Sequence, residues 1–528
     1  MSTSKELLPE DVCALRPTRR EFLAYIGALL AVSACGDGGN GDSEPPPAPT
    51  LASNPFTLGV ASGDPLADRV VLWTRLAIDP LNGGGMPGED VPVIWEVALD
   101  DQFHDMVRSG WQFAPRAFAH SVHVDVDGLA PDTWYFYRLR VADQWVSPVA
   151  RTRTLPRADT SPERFRIALA SCQAYTDGYY TAHAFLAQED VDLVAFVGDY
   201  IYEYGVDGDV RDHDGPTLRT LEQFRNRYAL YKSDPNLQAA HHRFPWIVTW
   251  DDHEVSNNYA GLVLSQGAPP VDDVRALRAA AYQAYYEHMP LRVAPPDDFT
   301  NFQIHHSFPI GDLATVYVLD GRQYRSDQAC NDSPQRPCAE VHDPSRTMLG
   351  PTQKQWLTAA LRASSSVWNV MAQQVVFSAV NFGGRFVLPD LWDGYAVERQ
   401  ELLNVFRDIR NVIVLTGDIH AAGFVTTHVD PIDNDSAVVA YEAVCTSISS
   451  GGDVGDLGLF ADTIRQQNPQ VQYLNHVRRG YTLCDFTRER VRFEFRAVTT
   501  VLQPTAEQLT DAIFEVDADT RVSRRIDG

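Results

Sequence analysis

Val194-Ala195-Phe196-Val197-Gly198-Asp199-Tyr200-Ile201-Tyr202-Glu203 is an apolar run that stops at a glycine and hands over a carboxylate and then a phenol. A short β-branched and aromatic stretch bounded by a turn residue reads as a buried strand, and Gly198 lets the backbone close tightly at its end. Three other runs finish the same way. Phe165-Arg166-Ile167-Ala168-Leu169-Ala170 delivers Ser171-Cys172-Gln173, Ile247-Val248-Thr249-Trp250 delivers Asp251-Asp252-His253-Glu254, and Val412-Ile413-Val414-Leu415-Thr416-Gly417 delivers Asp418-Ile419-His420. Ligands in an open α/β sheet gather at the carboxyl ends of parallel strands. Cys172, Asp199, Tyr202, Asp252, Asp418 and His420 are therefore predicted to converge although they are far apart in the chain. Each has an ordinary reading when taken alone, since an Asp after a strand commonly caps a helix and a buried Cys behaves as a small hydrophobe. Their recurrence favours a metal centre, and one unlike a closed structural zinc site, which is built from Cys and His at short spacing.

These motifs, with Asn257-Asn258 beyond Glu254-Val255, resemble those of the PhoD-type alkaline phosphatases, also called the PhoD-like phospholipase D family. Asn54-Pro55-Phe56-Thr57-Leu58-Gly59 through Pro65, Leu319-Asp320-Gly321-Arg322-Gln323-Tyr324-Arg325 and Trp392-Asp393-Gly394-Tyr395 extend the resemblance from about residue 52 to past 485. It implies an α/β fold, a metallophosphatase-like four-layer αββα sandwich. It implies that Cys172, Tyr202 and His420 bind ferric iron, that Asp199 bridges, and that Asp252 and Asp418 bind a second ion, calcium. The chemistry agrees: free Cys and Tyr ionise near pH ~8.5 and ~10, so a phenolate at neutral pH calls for a strongly Lewis-acidic ion, and the carboxylates suit a harder one. Zinc or another divalent ion is an alternative. His253, next to a ligand, is the candidate proton donor or phosphate contact. Asn258 is either a phosphate contact or a direct metal ligand, and Arg322 either a phosphate contact or half of a surface ion pair. The implied function is an exported metal-dependent phosphoesterase that hydrolyses phosphate esters with a metal-activated water. A phospholipase D-like diesterase acting on membrane lipids is the competing enzyme reading. A non-catalytic cell-surface metal-binding lipoprotein is the reading of another class, and it predicts an incomplete ligand set.

The chain has 528 residues and a formal net charge of −26. That balance excludes a nucleic-acid partner, which needs clustered cations. Thr18-Arg19-Arg20-Glu21-Phe22-Leu23 before the apolar Ala24 to Ala34 is a twin-arginine export pattern, so the twin-arginine machinery is an expected partner. Val32-Ser33-Ala34-Cys35 has the form of a lipobox, making Cys35 either a lipidated first residue that tethers a periplasmic or cell-surface lipoprotein to a membrane, or part of an ordinary cleavage site. Residues 1–35 are thus read as the signal and 36–50 as a Gly- then Pro-rich linker.

Residues 51–155 carry short alternating β runs, and Leu129-Ala130-Pro131-Asp132-Thr133-Trp134-Tyr135-Phe136-Tyr137 resembles the tyrosine-corner segment of fibronectin type III-like sandwiches. An N-terminal β-sandwich is expected there, followed by the catalytic domain over 163–504. Helices are predicted within 217–228, over 274–288 and over 352–362, with a closing hairpin within 480–501. Residues 505–528 read as a tail, with a short helix over 505–514. Of the seven cysteines, Cys330 and Cys338 bracket a polar loop and are predicted to pair in an oxidising compartment, whereas pairing of Cys445 with Cys484 stays open.

Overall fold

In the structure, a computed structural model, the strand that presents Asp199 lies inside a ten-stranded sheet. Leu193–Phe196 pairs in parallel with Arg164–Ala170 on one side and with Pro245–Val248 on the other. Across the sheet the strands run Ser523–Arg525, Gln508–Asp517, Arg490–Val498, Gly480–Thr487, Arg164–Ala170, Leu193–Phe196, Pro245–Val248, Val60–Gly63, Val70–Arg75 and Ser121–Val126. A seven-stranded sheet faces it, with Ala314–Val318, Trp368–Ala372, Val412–Thr416 and Val438–Val444 parallel at its centre. The structure describes residues 44–205, 208–213, 215–333, 338–381, 388–455 and 458–527. The twin-arginine pattern, the lipobox with Cys35 and the Gly-rich spacer lie outside the described residues. Among those described, no helix is long and apolar enough to cross a membrane.

The near-continuous apolar runs are explained by two-sided burial, as expected of parallel strands covered on both faces. Ile167, Leu169, Ala195 and Ile247 of the first sheet meet Val316, Val370, Ile413 and Leu415 of the second in one core. Tyr228, Leu237, Leu277 and Tyr282, from three helices, cover the outer face of the first sheet. Leu357, Leu361, Leu402 and Phe406, from two more, cover that of the second. The layers are helix, sheet, sheet, helix. Helix starts are set by side chains: Thr220 and Gln223 form a capping box for Leu221–Lys232, and Asp273 caps Val274–His288.

The N-terminal strands do not stand apart from this sheet. Val60–Gly63 pairs in parallel with Pro245–Val248, so Val60–Gly63, Val70–Arg75 and Ser121–Val126 extend the ten-stranded sheet. A second sheet built on Val91–Ala98 and Trp134–Val141 packs over them through Leu72, Val93, Val124, Tyr135 and Tyr137. The Tyr135 hydroxyl accepts from Ala130 N at 2.8 Å and reaches Ala130 O at 3.3 Å. Trp73 Nε1 donates to Glu287 O (3.0 Å), at the end of helix Val274–His288.

The C-terminus corrects the sequence reading. Residues 508–517 form a strand, not part of a short helix and tail, and Ser523–Arg525 pairs with it. Helix-forming residues begin the segment, but Ala512, Phe514 and Val516 alternate into the core between the sheets, and ladder pairing with Arg490–Val498 outweighs local propensity. Cys330 and Cys338 are joined by a disulfide. Cys172, Cys445 and Cys484 are buried and unbridged.

Candidate metal centre

The parallel strands of both sheets point their carboxyl ends at one place. Three sets of donor atoms there lie within 4.8 Å of one another: Cys172 with Asp199 and His420, Asp199 with Asp252 and His253, and Asp251 with Asp252 and Asp418. The first two sets share Asp199 and the last two share Asp252, so the donors form a chain of adjoining clusters. Tyr202 joins the first, its hydroxyl 3.1 Å from Asp199 Oδ2 and 3.1 Å from His420 Nε2. Ser450 Oγ donates to that hydroxyl at 2.7 Å.

The backbone is bent to achieve this. Cys172 (φ 56°), Asp199 (56°), Asp418 (70°) and His420 (53°) all sit in the left-handed region, which non-glycine residues rarely adopt and which costs of order 1–3 kcal/mol each. The glycines before the ligands are needed for closeness: a Cβ on Gly198 would lie 2.4 Å from Asp251 Cβ, and one on Gly417 would lie 2.4 Å from Ser171 Oγ. Glu254 braces the Asp199 motif against its own, accepting from the backbone N–H groups of Asp199 (3.1 Å), Tyr200 (2.6 Å) and Asp251 (2.9 Å).

Burial pushes the Cys172 thiol well above its usual pKa, with Asp199 adding to the rise. The same two causes lift Tyr202. Asp199 is raised by burial and by Asp252, Asp418 by burial and by Asp251. Burial opposes ionisation of Asp252 too, but Arg322 and His253 outweigh it and hold that carboxyl below its usual range. Asp252 Oδ1 is buried with no hydrogen-bond partner among the described residues, Arg322 Nη2 standing 3.7 Å away as an ion-pair partner. A thiol, a phenol and crowded carboxylates with an orphaned oxygen fit multivalent cations, which supply the charge that these donors lack.

His253 is held by a residue that sequence reasoning passed over. Its Nδ1 lies 2.7 Å from Glu203 Oε2, and Glu203 Oε1 accepts from Asn257 N at 2.8 Å. Burial would lower the His253 pKa, but Glu203, Asp252 and Asp199 raise it well above the usual value. Glu203 follows Tyr202 within the first motif; its partner lies 50 residues on, and nothing local announces the contact. Asn258 N donates to Asp252 Oδ2 (2.7 Å), and Asn258 Nδ2 approaches Asp332 Oδ2 at 3.5 Å.

Arg322 departs from the phosphate-contact reading. Its side chain is wholly buried and its guanidinium is spent on carboxylates: Nε on Asp251 (2.5 Å), Nη1 and Nη2 on the two oxygens of Asp390 (2.7 and 2.9 Å). Asp390, also unforeseen, is bonded by Arg325 and Gln328 as well.

Comparison with known proteins agrees with this architecture. The PhoD-like phosphatase family model matches residues 167–495, and the PhoD-like phosphatase N-terminal domain model matches residues 42–156. The chain is 47% identical over 490 residues to alkaline phosphatase D of Bacillus subtilis (strain 168), covering 91% of this chain and 84% of that protein. It is similar to a solved structure of PhoD with a TM-score of 0.88 at 46% identity, covering 91% of this chain and 94% of that one. A purple acid phosphatase from yellow lupin shares the fold alone, with a TM-score of 0.51 at 11% identity over 85% of this chain and 73% of that one.

Proposed function

The chain belongs to the PhoD-like phosphatase family, and on that premise we propose that it hydrolyses phosphoric esters at the centre formed by Cys172, Asp199, Tyr202, Asp252, Asp418 and His420. The observation that carries the assignment is the convergence of buried, undercompensated donors from both sheets. Cys172, Tyr202 and His420 would hold ferric iron, Asp199 would bridge, and Asp252 and Asp418 would hold calcium, with zinc or another divalent ion as the alternative. Asn258, whose backbone N–H holds Asp252 Oδ2, would serve beside that carboxylate as a phosphate contact or a further ligand. Arg322 we assign to holding Asp251 and Asp390 in place. Two bound cations supply Lewis acidity, charge neutralisation and a more acidic water.

The protein's own groups do the rest. Glu203 accepts from His253 Nδ1–H and, with Asp252 and Asp199, favours the doubly protonated imidazolium, whose Nε2–H would give its proton to the departing oxygen. Glu254 keeps the Asp199 and Asp251 backbones in register with each other.

The fibronectin type III-like reading of the N-terminal sandwich is supported by the Tyr135–Ala130 corner. Export by the twin-arginine route and lipidation at Cys35 rest on the sequence of residues 18–35. On this reading Cys35→Ala moves the protein from membranes to the soluble exported fraction with full activity; a variant still bound to membranes rejects the anchor. The function is tested by metal analysis of purified protein together with assays on a phosphomonoester, a diester and a phospholipid. Hydrolysis confined to the phospholipid would replace the general phosphatase reading with the lipid-directed one.

A further inference from the structure

Arg479, just ahead of strand Gly480–Thr487, is 2% exposed and forms no ion pair among the described residues. All its hydrogen bonds go to neutral oxygens. Nη1 donates to His420 O (2.5 Å) and reaches Thr446 Oγ1 at 3.5 Å, Nε donates to Gly452 O (2.8 Å), and Nη2 donates to His476 O (3.3 Å). Asp453 and Asp177 favour its charge from a distance, but burial outweighs them and no carboxylate pairs with it directly among the described residues, so a guanidinium kept there is costly and its position calls for a reason.

The segments it joins supply one. His420 carries the imidazole and has a left-handed backbone (φ 53°); its carbonyl, gripped by Arg479, also approaches Thr446 Oγ1 at 3.4 Å. The turn from Thr446 to Gly452 holds the other two donors of the same cluster. Ile448 N donates to Cys172 O at 3.1 Å, with Ser449 N and Ser450 N each at 3.4 Å from the same oxygen, and Ser450 Oγ donates to the Tyr202 hydroxyl. Gly451 completes the fit: a Cβ there would stand 3.2 Å from Arg479 Nη2 and 3.7 Å from His420 Nδ1, so guanidinium and imidazole flank one bare backbone position.

We propose that Arg479 is the positioning residue of the Cys172–Tyr202–His420 cluster, a strut that ties the His420 backbone to the turn on which Cys172 and Tyr202 lean. It touches neither substrate nor reacting atoms. The proposal rests on the metal-centre reading above and concerns one of its two halves. Removing an outer partner of a metal ligand costs about 10–100-fold in affinity; Arg479 holds the His420 carbonyl directly and reaches Cys172 and Tyr202 through the turn that bonds them.

The test uses full-length protein stripped with a chelator and retitrated with ferric iron delivered as its citrate complex, alongside thermal melting of the stripped and loaded forms. Arg479→Gln is expected to bind iron about tenfold or more weakly, and the melting-temperature gain on loading shrinks accordingly. Calcium added back to the stripped variant binds the opposite cluster as tightly as in the parent. Unchanged iron affinity overturns the proposal, as does a lower melting temperature of the stripped protein with the loading gain intact, which marks a merely structural residue. A parent protein that takes up no metal overturns the centre itself and is thereby told apart. Should Arg479→Gln not be recovered folded, Arg479→Lys is read by the same criteria, since one ammonium cannot span His420 O, Gly452 O and His476 O together.

Discussion

Two buried acidic regions adjoin at Asp251 and Asp252, and they solve the same electrostatic problem in opposite ways. On the Asp251 side the protein brings its own cations: Arg322 and Arg325 pair with Asp251 and Asp390. Burial still leads there, and it raises Asp251 only to about 6, because Arg322 counters it. On the other side Asp199 and Asp418 are pushed well up by burial and by each other's neighbours. In the first region arginines supply most of the countercharge, although Asp251 Oδ2 keeps no hydrogen-bond partner among the described residues and Asp251 belongs to a donor set itself; the second is arranged for a charge that comes from outside. Adjacent carboxylates can thus be structural or functional, and what divides them is where the compensating charge originates.

The sharpest way to break that contrast is Asp199→Asn. It is expected to lower kcat/KM ~1000-fold or more, since several kcal/mol of cation-derived stabilisation are lost, while the metal-free protein melts no lower than the parent because Asn relieves the crowding of the Asp199 and Asp252 carboxyls. Kinetics, metal content and melting read it together. Arg322→Met is the mirror experiment: it leaves Asp251 unpaired and Asp390 with Arg325 as its one remaining cation, and stability should fall by about 3–5 kcal/mol in denaturant unfolding of metal-free protein.

His253→Ala separates proton donation from metal holding. Both metals stay, and activity falls roughly a hundredfold on esters with poor leaving groups, less on a nitrophenyl ester. Equal losses on both would make His253 a phosphate contact. The smallest effect belongs to a self-compensated pair far from the centre, His306 and Asp64 at 3.4 Å. Burial and Arg292 lower the His306 pKa, yet Asp64, helped by the Ile304 carbonyl, raises it overall. A raised folded value means that the pair's contribution is fully present below the unfolded pKa of about 6.5 and is lost as pH rises through the folded value. Unfolding of the parent and His306→Gln from pH 6 to 9 should converge toward the alkaline end, by no more than about 1 kcal/mol because the imidazole is partly exposed.

What the chain discloses by itself follows the range of the forces involved. Strand ends with glycine–aspartate pairs are local, and so is the helix at Val274–His288, with Asp273 before it and Pro290 after. Glu203, Asp390 and Arg479 were not legible, because each acts through a partner tens of residues away in sequence. Arg322 stood in a visible motif, yet only the fold shows that its guanidinium is consumed. The strand Gln508–Asp517 failed for a related reason: its identity comes from the neighbour that it pairs with.

One pairing has a consequence for the making of the protein. Arg164–Ala170, the strand that leads to Cys172, is bordered by Gly480–Thr487, and Arg164 meets Asp485 across 321 residues. During synthesis at roughly 5–20 residues per second, that border stays empty for some tens of seconds. The core between the sheets likewise waits for Phe493 and Phe514. A ribosome-bound chain therefore holds the sequence of every proposed ligand before it can seal them from water. Assembly is governed by the last segment translated, and loss of the final strands should yield a species that exposes apolar sheet surface instead of a shorter enzyme.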